Sequence, residues 1–308
     1  MAMLKSLRRM GALPRSLGLV WLCWLGLAGC QEPTSTAATD SMGVPSSAPS
    51  VTAATSSNAT DRDRSLWAGG FAEADWRARW HVRPAKAWGW QNATIVVDPA
   101  QQFSQILRVR YPSGSASPAV ARDTGAPLGG LQFYADLGLP PQESLRLSYN
   151  LRFSQDFDFV KGGKLPGLFG GAGASGGNIP DGTNGFSTRF MWRSQGKGEV
   201  YAYLPTSQEY GTSIGRGKWR FTPGVWQRLE QQVDLNQVGK KNGRIRVWLD
   251  SKLVLDKGNL TFRTTESLKI EGIFFSTFFG GSDRSWATPK DVDIDFANFA
   301  VFPAIIQK

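Results

Sequence analysis

The chain is short of the residues that most often carry covalent or metal chemistry. Among its 308 residues are two cysteines, Cys23 and Cys30, and a single histidine, His81. Cys23 lies in an apolar leader-like segment, so the chain that remains after its removal can form no intrachain disulfide. A Ser-His-Asp triad or a histidine-rich metal site would have to use His81, which sits between Trp80 and Val82, and a packed or surface histidine is the simpler reading. No compact cluster has metal-ligand spacing, so a reaction without metal or other cofactor is expected, one that survives a chelator. The GxxxxGK[ST] phosphate loop is missing, which argues against a nucleotide site. There is no internal repeat, no long amphipathic helical pattern, and no apolar run of the roughly 20 residues a membrane span needs.

What is present begins with a leader. Lys5, Arg8, Arg9 and Arg15 precede an apolar run from Leu17 to Ala28, the pattern of a secretory signal. The run ends Leu27-Ala28-Gly29-Cys30, which resembles the lipobox of bacterial lipoproteins. That resemblance implies a signal peptide over 1–29, lipidation of Cys30 and an envelope location. Gln31, in place of an aspartate resembling an inner-membrane retention signal, points to the outer membrane. Loss of 1–29 leaves 31 basic residues of the original 35 against 25 acidic ones, and the net charge falls from +10 to +6. A moderate positive balance suits an anionic polymer, although charge alone does not distinguish polyuronate from nucleic acid or an anionic surface. Residues 30–65 are rich in Ser, Thr, Ala and Pro and read as a disordered tether. Residues 66–308 are then the folded domain.

That domain alternates with period two. Leu145, Leu147, Tyr149, Leu151 and Phe153 share one face of a segment whose other face carries Arg146, Ser148, Asn150 and Arg152. The same pattern recurs over 244–250 and 291–296, and further strands are expected at 93–98, 105–111, 186–193, 199–204, 226–235 and 271–279. An all-β jelly-roll sandwich of two antiparallel sheets follows. The tryptophans at 67, 76, 80, 88 and 90 form either a sugar-stacking platform or, more simply, part of the core.

The segment 161–226 is the most informative. Alternation places Ser187, Arg189, Met191 and Arg193 on one face of a strand and Phe186, Thr188, Phe190 and Trp192 on the other. In the next strand Glu199, Tyr201 and Tyr203 oppose Val200, Ala202 and Leu204. The SQGKG between them is turn-like, so the two strands are expected to pair as a hairpin with arginines and tyrosines on one surface. Guanidinium groups bind carboxylates bidentately, and a phenol whose pKa is lowered by a neighbouring cation can exchange protons. The glycines around Lys164 suggest a tightly turning loop at a cleft rim. FFSTFFGGSD, apolar on both faces, reads as a central core strand, with Asp283 and Trp286 just beyond it.

KGGKLPGL, STRFMWR, the YAY pair, FFSTFFGGSD and WATP together resemble polysaccharide lyase family 14, over most of residues 145–300. The resemblance implies a jelly roll with a concave cleft and metal-independent β-elimination on a uronate polysaccharide, alginate or glucuronan. By motif it implies catalytic roles for Lys164, Tyr201 and Tyr203, and substrate binding by Ser187 and Arg189, to which Arg193 is added from the strand face. The expected partner is thus an anionic polysaccharide and not nucleic acid, with the membrane reached only through the lipid anchor and the protein a monomer. Two other readings compete. A non-catalytic carbohydrate-binding lipoprotein would need neither the lysine nor both tyrosines. A glycoside hydrolase would need two carboxylates flanking a cleft, for which Glu199 with Glu230 or Asp283 are the candidates.

Overall fold

The computed structural model describes residues 64–305. The signal segment, Cys30 and nearly all of the tether lie outside the described residues. In chain order the strands are β1 (Trp67–Gly69), β2 (Val82–Trp88), β3 (Ala93–Val96), β4 (Ile106–Tyr111), β5 (Leu131–Ala135), β6 (Ser144–Phe153) and β7 (Gly162–Gly171). They continue as β8 (Gly185–Arg193), β9 (Gly198–Tyr203), β10 (Thr212–Ile214), β11 (Gln227–Asp234), β12 (Gly243–Leu249), β13 (Lys252–Leu260), β14 (Ile270–Phe279) and β15 (Val292–Phe302). One sheet runs β13-β12-β11-β6-β15-β4-β3, with β1 added on β15; the other runs β10-β9-β8-β7-β14-β5-β2. Each strand expected from the alternation is present.

The core fills the space between the sheets. Leu145, Leu147, Tyr149, Leu151 and Phe153 of β6 are buried there with Phe186, Phe190 and Trp192 of β8. Phe153 meets Trp192 edge-on at 5.7 Å, and Phe275 of β14 stacks on Phe133 of β5 at 4.6 Å. Trp76 and Trp80 belong to this core, so the tryptophan-rich N-terminal stretch closes the sandwich. Trp88 is the exception and lies on the outer face of the seven-stranded sheet, tilted against Phe278.

The glycine-rich segment around Lys164 is not a rim loop. It is the middle strand of the seven-stranded sheet, and its glycines answer to close approach. A Cβ on Gly163 would fall 2.1 Å from the Trp192 ring, and one on Gly167 would fall 2.2 Å from the Thr188 carbonyl. Between Leu165 and Leu168 β7 carries one residue more than β8, and over the same stretch its register with β14 also shifts, there with the extra residue on β14. This is a β-bulge, centred where Pro166 has no N–H to give to a ladder. The back sheet completes the interrupted hydrogen bonding. Tyr149 Oη donates to the Pro166 carbonyl at 3.0 Å; Gln231 accepts from the Leu168 amide at 3.2 Å and donates to the Thr188 carbonyl at 2.7 Å. The extra residue lets Lys164 face outward while both Leu165 and Leu168 are buried.

Candidate active site

The bulge lies beneath the outward face where the chemistry-bearing side chains gather. Register sets Lys164 beside Met191, Tyr201 beside Arg189 and Tyr203 beside Ser187, so the hairpin of β8 and β9 forms as expected. Lys164 Nζ stands 3.7 Å from the centroid of the Tyr201 ring and 2.8 Å from Met191 Sδ. Burial holds its pKa well below the usual lysine range, Arg189 and Arg193 push the same way, and Glu199 opposes them. The ring face favours a cation, but one aromatic contact does not offset desolvation and two guanidinium charges together.

Arg189 is only 2 % exposed. Its Nη1 donates to Ser276 Oγ at 3.0 Å and its guanidinium lies 4.4 Å over the Phe274 ring, while Nε has no hydrogen-bond partner. Among the described residues no carboxylate pairs with it. A buried guanidinium in this state is costly, and it is a ready receptor for an incoming carboxylate. Arg193 differs. Its guanidinium is engaged by Glu199, with Nη2 2.6 Å from Oε1. Arg216 Nε reaches the other oxygen of Glu199 at 2.6 Å, and Ser213 bonds it too. Burial alone would raise the Glu199 pKa, but these three partners hold it below the ordinary value.

Burial pushes the Tyr201 hydroxyl up to about 12; Tyr203 adds to the shift, while Arg193 and Arg189 oppose it. The expectation that nearby cations would lower a phenol is therefore reversed at this position. Withdrawal from water outweighs the cations, and Tyr201 stays protonated. Tyr203 packs edge-on against Tyr201 at 5.8 Å, and its hydroxyl accepts from the Gly177 amide at 3.1 Å. Ser187 is fully buried and donates to the Ala174 carbonyl at 2.6 Å. It thus ties down the 172–178 loop instead of facing an open cleft.

Lys164, Arg189, Tyr201 and Tyr203 therefore converge. Arg193 stands behind them as the partner of Glu199, and Ser187 beneath the loop. Sequence reasoning missed Ser276, whose hydroxyl also donates to Gln132 Oε1 at 3.1 Å, and Met191 as the neighbour of the lysine. The serine alternates with phenylalanines in FFSTFF, and that parity could have flagged it. Of the carboxylates considered for hydrolysis, Glu199 is held by cations, Glu230 lies in the other sheet, paired with Arg146 and Arg228, and Asp283 is exposed and accepts from the Ser285 amide. Among the described residues no group of three or more His, Cys, Asp or Glu could hold a metal ion.

Comparison with known proteins follows the same lines. The family model described as polysaccharide lyase 14 matches residues 99–299. The marine PL-14 alginate lyase from Aplysia kurodai is 31 % identical, with a TM-score of 0.66 over 78 % of this chain and 99 % of that one. Alginate lyase vAL-1 from Chlorella virus is 21 % identical (TM-score 0.62; 74 % and 94 % of the two chains), which speaks to the fold. The endo-β-1,4-glucuronan lyase of the fungus Trichoderma reesei is 12 % identical (TM-score 0.50; 78 % and 96 %). No curated protein sequence matches the chain.

Proposed function

The chain belongs to polysaccharide lyase family 14 and is a polysaccharide lyase on an all-β jelly roll; from that premise we propose that it cleaves alginate or a closely related polyuronate by metal-independent β-elimination. The observation that carries this reading is the buried, carboxylate-free Arg189 next to Lys164 and Tyr201. Its guanidinium neutralises the uronate carboxylate and so acidifies the adjacent C5–H. Lys164, whose lowered pKa favours the free amine, takes that proton on Nζ. The C5–H electron pair forms the C4–C5 double bond, and the C4–O bond breaks with its electrons on the leaving oxygen. Tyr201, still protonated, gives its proton to that oxygen. Passage of the proton from the Lys164 ammonium back to the Tyr201 phenolate, directly or through solvent, resets both groups. Tyr203, fixed by the Gly177 amide, positions Tyr201.

The test is incubation with alginate, glucuronan and other polyuronates, following the ultraviolet absorbance of the unsaturated uronate end. Tyr201→Phe should cut turnover by about 10²-fold or more, the scale of a positioned acid. Near-normal turnover in both Lys164→Ala and Tyr201→Phe would overturn the assignment. The envelope location rests on the sequence: Cys30 is proposed as the lipidated anchor, and Cys30→Ser should release the protein from membranes in a fractionation experiment.

A further inference from the structure

The face that holds Arg189 does not stop at β14. Successive registers place Ser213, Tyr201, Arg189, Ser276, Gln132 and Trp88 in one row across the sheet, with only the bulge of β7 interposed. Hydrogen bonds follow the row from Arg189 to Ser276 to Gln132. At its far end β2 leaves its neighbour. Between the pairs Arg83–Tyr134 and Trp88–Gln132 its register shifts, in a stretch that contains Pro84. Beside this departure is a hollow of about 420 Å³ lined by Lys86, Trp88, Gln132, Tyr134, Ser175 and Asn178.

These groups have the chemistry of a sugar-acid site. The half-buried Trp88 indole, braced at 5.7 Å by Phe278, offers a face to a pyranose ring. Lys86 is exposed, lies 5.2 Å over the Tyr134 ring and donates to the Ala172 carbonyl at 2.8 Å. No carboxylate pairs with it among the described residues. The amide of Gln132 and the polar side chains of Ser175 and Asn178 suit sugar hydroxyls. Lys86 and Trp88 lie on β2, which precedes the matched residues 99–299, while Gln132, Tyr134, Ser175 and Asn178 lie within them.

We propose that Trp88 and Lys86 form a distal subsite that binds a further uronate residue of the same polysaccharide chain; this rests on the polyuronate reading above. Trp88 lies three strand spacings from Lys164, about 14 Å, which is more than the length of one sugar ring. Only a substrate that extends several residues to this side of the cleaved bond can reach it.

The experiment compares kcat/KM on a size-graded ladder of oligouronates for the wild type, Trp88→Ala, Trp88→Tyr and Lys86→Gln, in the full chain. For Trp88→Ala the loss should grow with substrate length to about tenfold on the longest chains, the usual scale for removing an anchoring aromatic. Trp88→Tyr should recover most of it. Lys86→Gln, at an exposed position that leaves the fold unaffected, should show a smaller length-dependent loss that fades with added salt. A loss equal at every length, or no loss in any variant, would overturn the subsite while leaving the lyase assignment intact. A wild type that cleaves no member of the ladder defeats the polyuronate reading, and the subsite with it.

Discussion

At the scale of single residues, the proposed reaction rests on two pKa shifts of opposite consequence. Lys164 is lowered and Tyr201 raised to about 12, which favours a free amine beside a phenol that keeps its proton. Activity should therefore rise with pH through the lowered lysine pKa and stay high until near the tyrosine value. Arg193 is one cause of the lysine shift. Arg193→Met should move the acidic limb of the kcat/KM profile to higher pH; an unmoved limb would mean that another group sets it. The lysine also bears on stability. Below its ordinary pKa of about 10.4 the unfolded chain binds a proton at this position that the folded chain resists, so Lys164 destabilises the fold increasingly as pH falls toward its lowered value. Lys164→Met should abolish activity, raise the thermal midpoint at pH 7, and show a smaller gain at pH 10. The residue types of this site were legible because alternation sorts Arg189, Tyr201 and Tyr203 onto one face. Which arginine stays free for substrate was not: the Glu199 clamp uses Arg216 from beyond β10 as well as Arg193, and spacing alone does not reveal that three-way arrangement.

At the scale of elements, β7 departs furthest from a reading based on composition. Its glycines suggest a loop, yet they form a central strand in which rings and carbonyls approach the backbone too closely for a Cβ. The bulge at Pro166 aims Lys164, and it persists because Gln231 and Tyr149 reach across from β11 and β6 to satisfy the freed backbone groups. Those partners lie 17 and 63 residues from the groups they serve, beyond the reach of any local pattern. Gln231→Met fills the same space but leaves buried polar groups of Leu168 and Thr188 unsatisfied. It should cost about 2–3 kcal/mol in chemical denaturation and lower turnover, although Gln231 is remote from the substrate face. Unchanged stability would show that the back sheet does not support the bulge.

At the scale of the whole molecule, the period-two alternation was enough to anticipate two antiparallel sheets, because each strand has one face in the core. Strand order was not available, since β7 sits between β8 and β14, far apart in sequence. That order has a consequence for how a polymer is handled. The row from Ser213 to Trp88 starts on one margin of the seven-stranded sheet and ends on the other. A polymer lying along that row would be held within its length, with no terminus to find first. Early in digestion a viscous polyuronate solution should thin sharply while few new ends have accumulated, a relation that viscometry run beside ultraviolet absorbance would reveal. Thinning strictly in step with end formation would instead indicate that the polymer is trimmed from its tips.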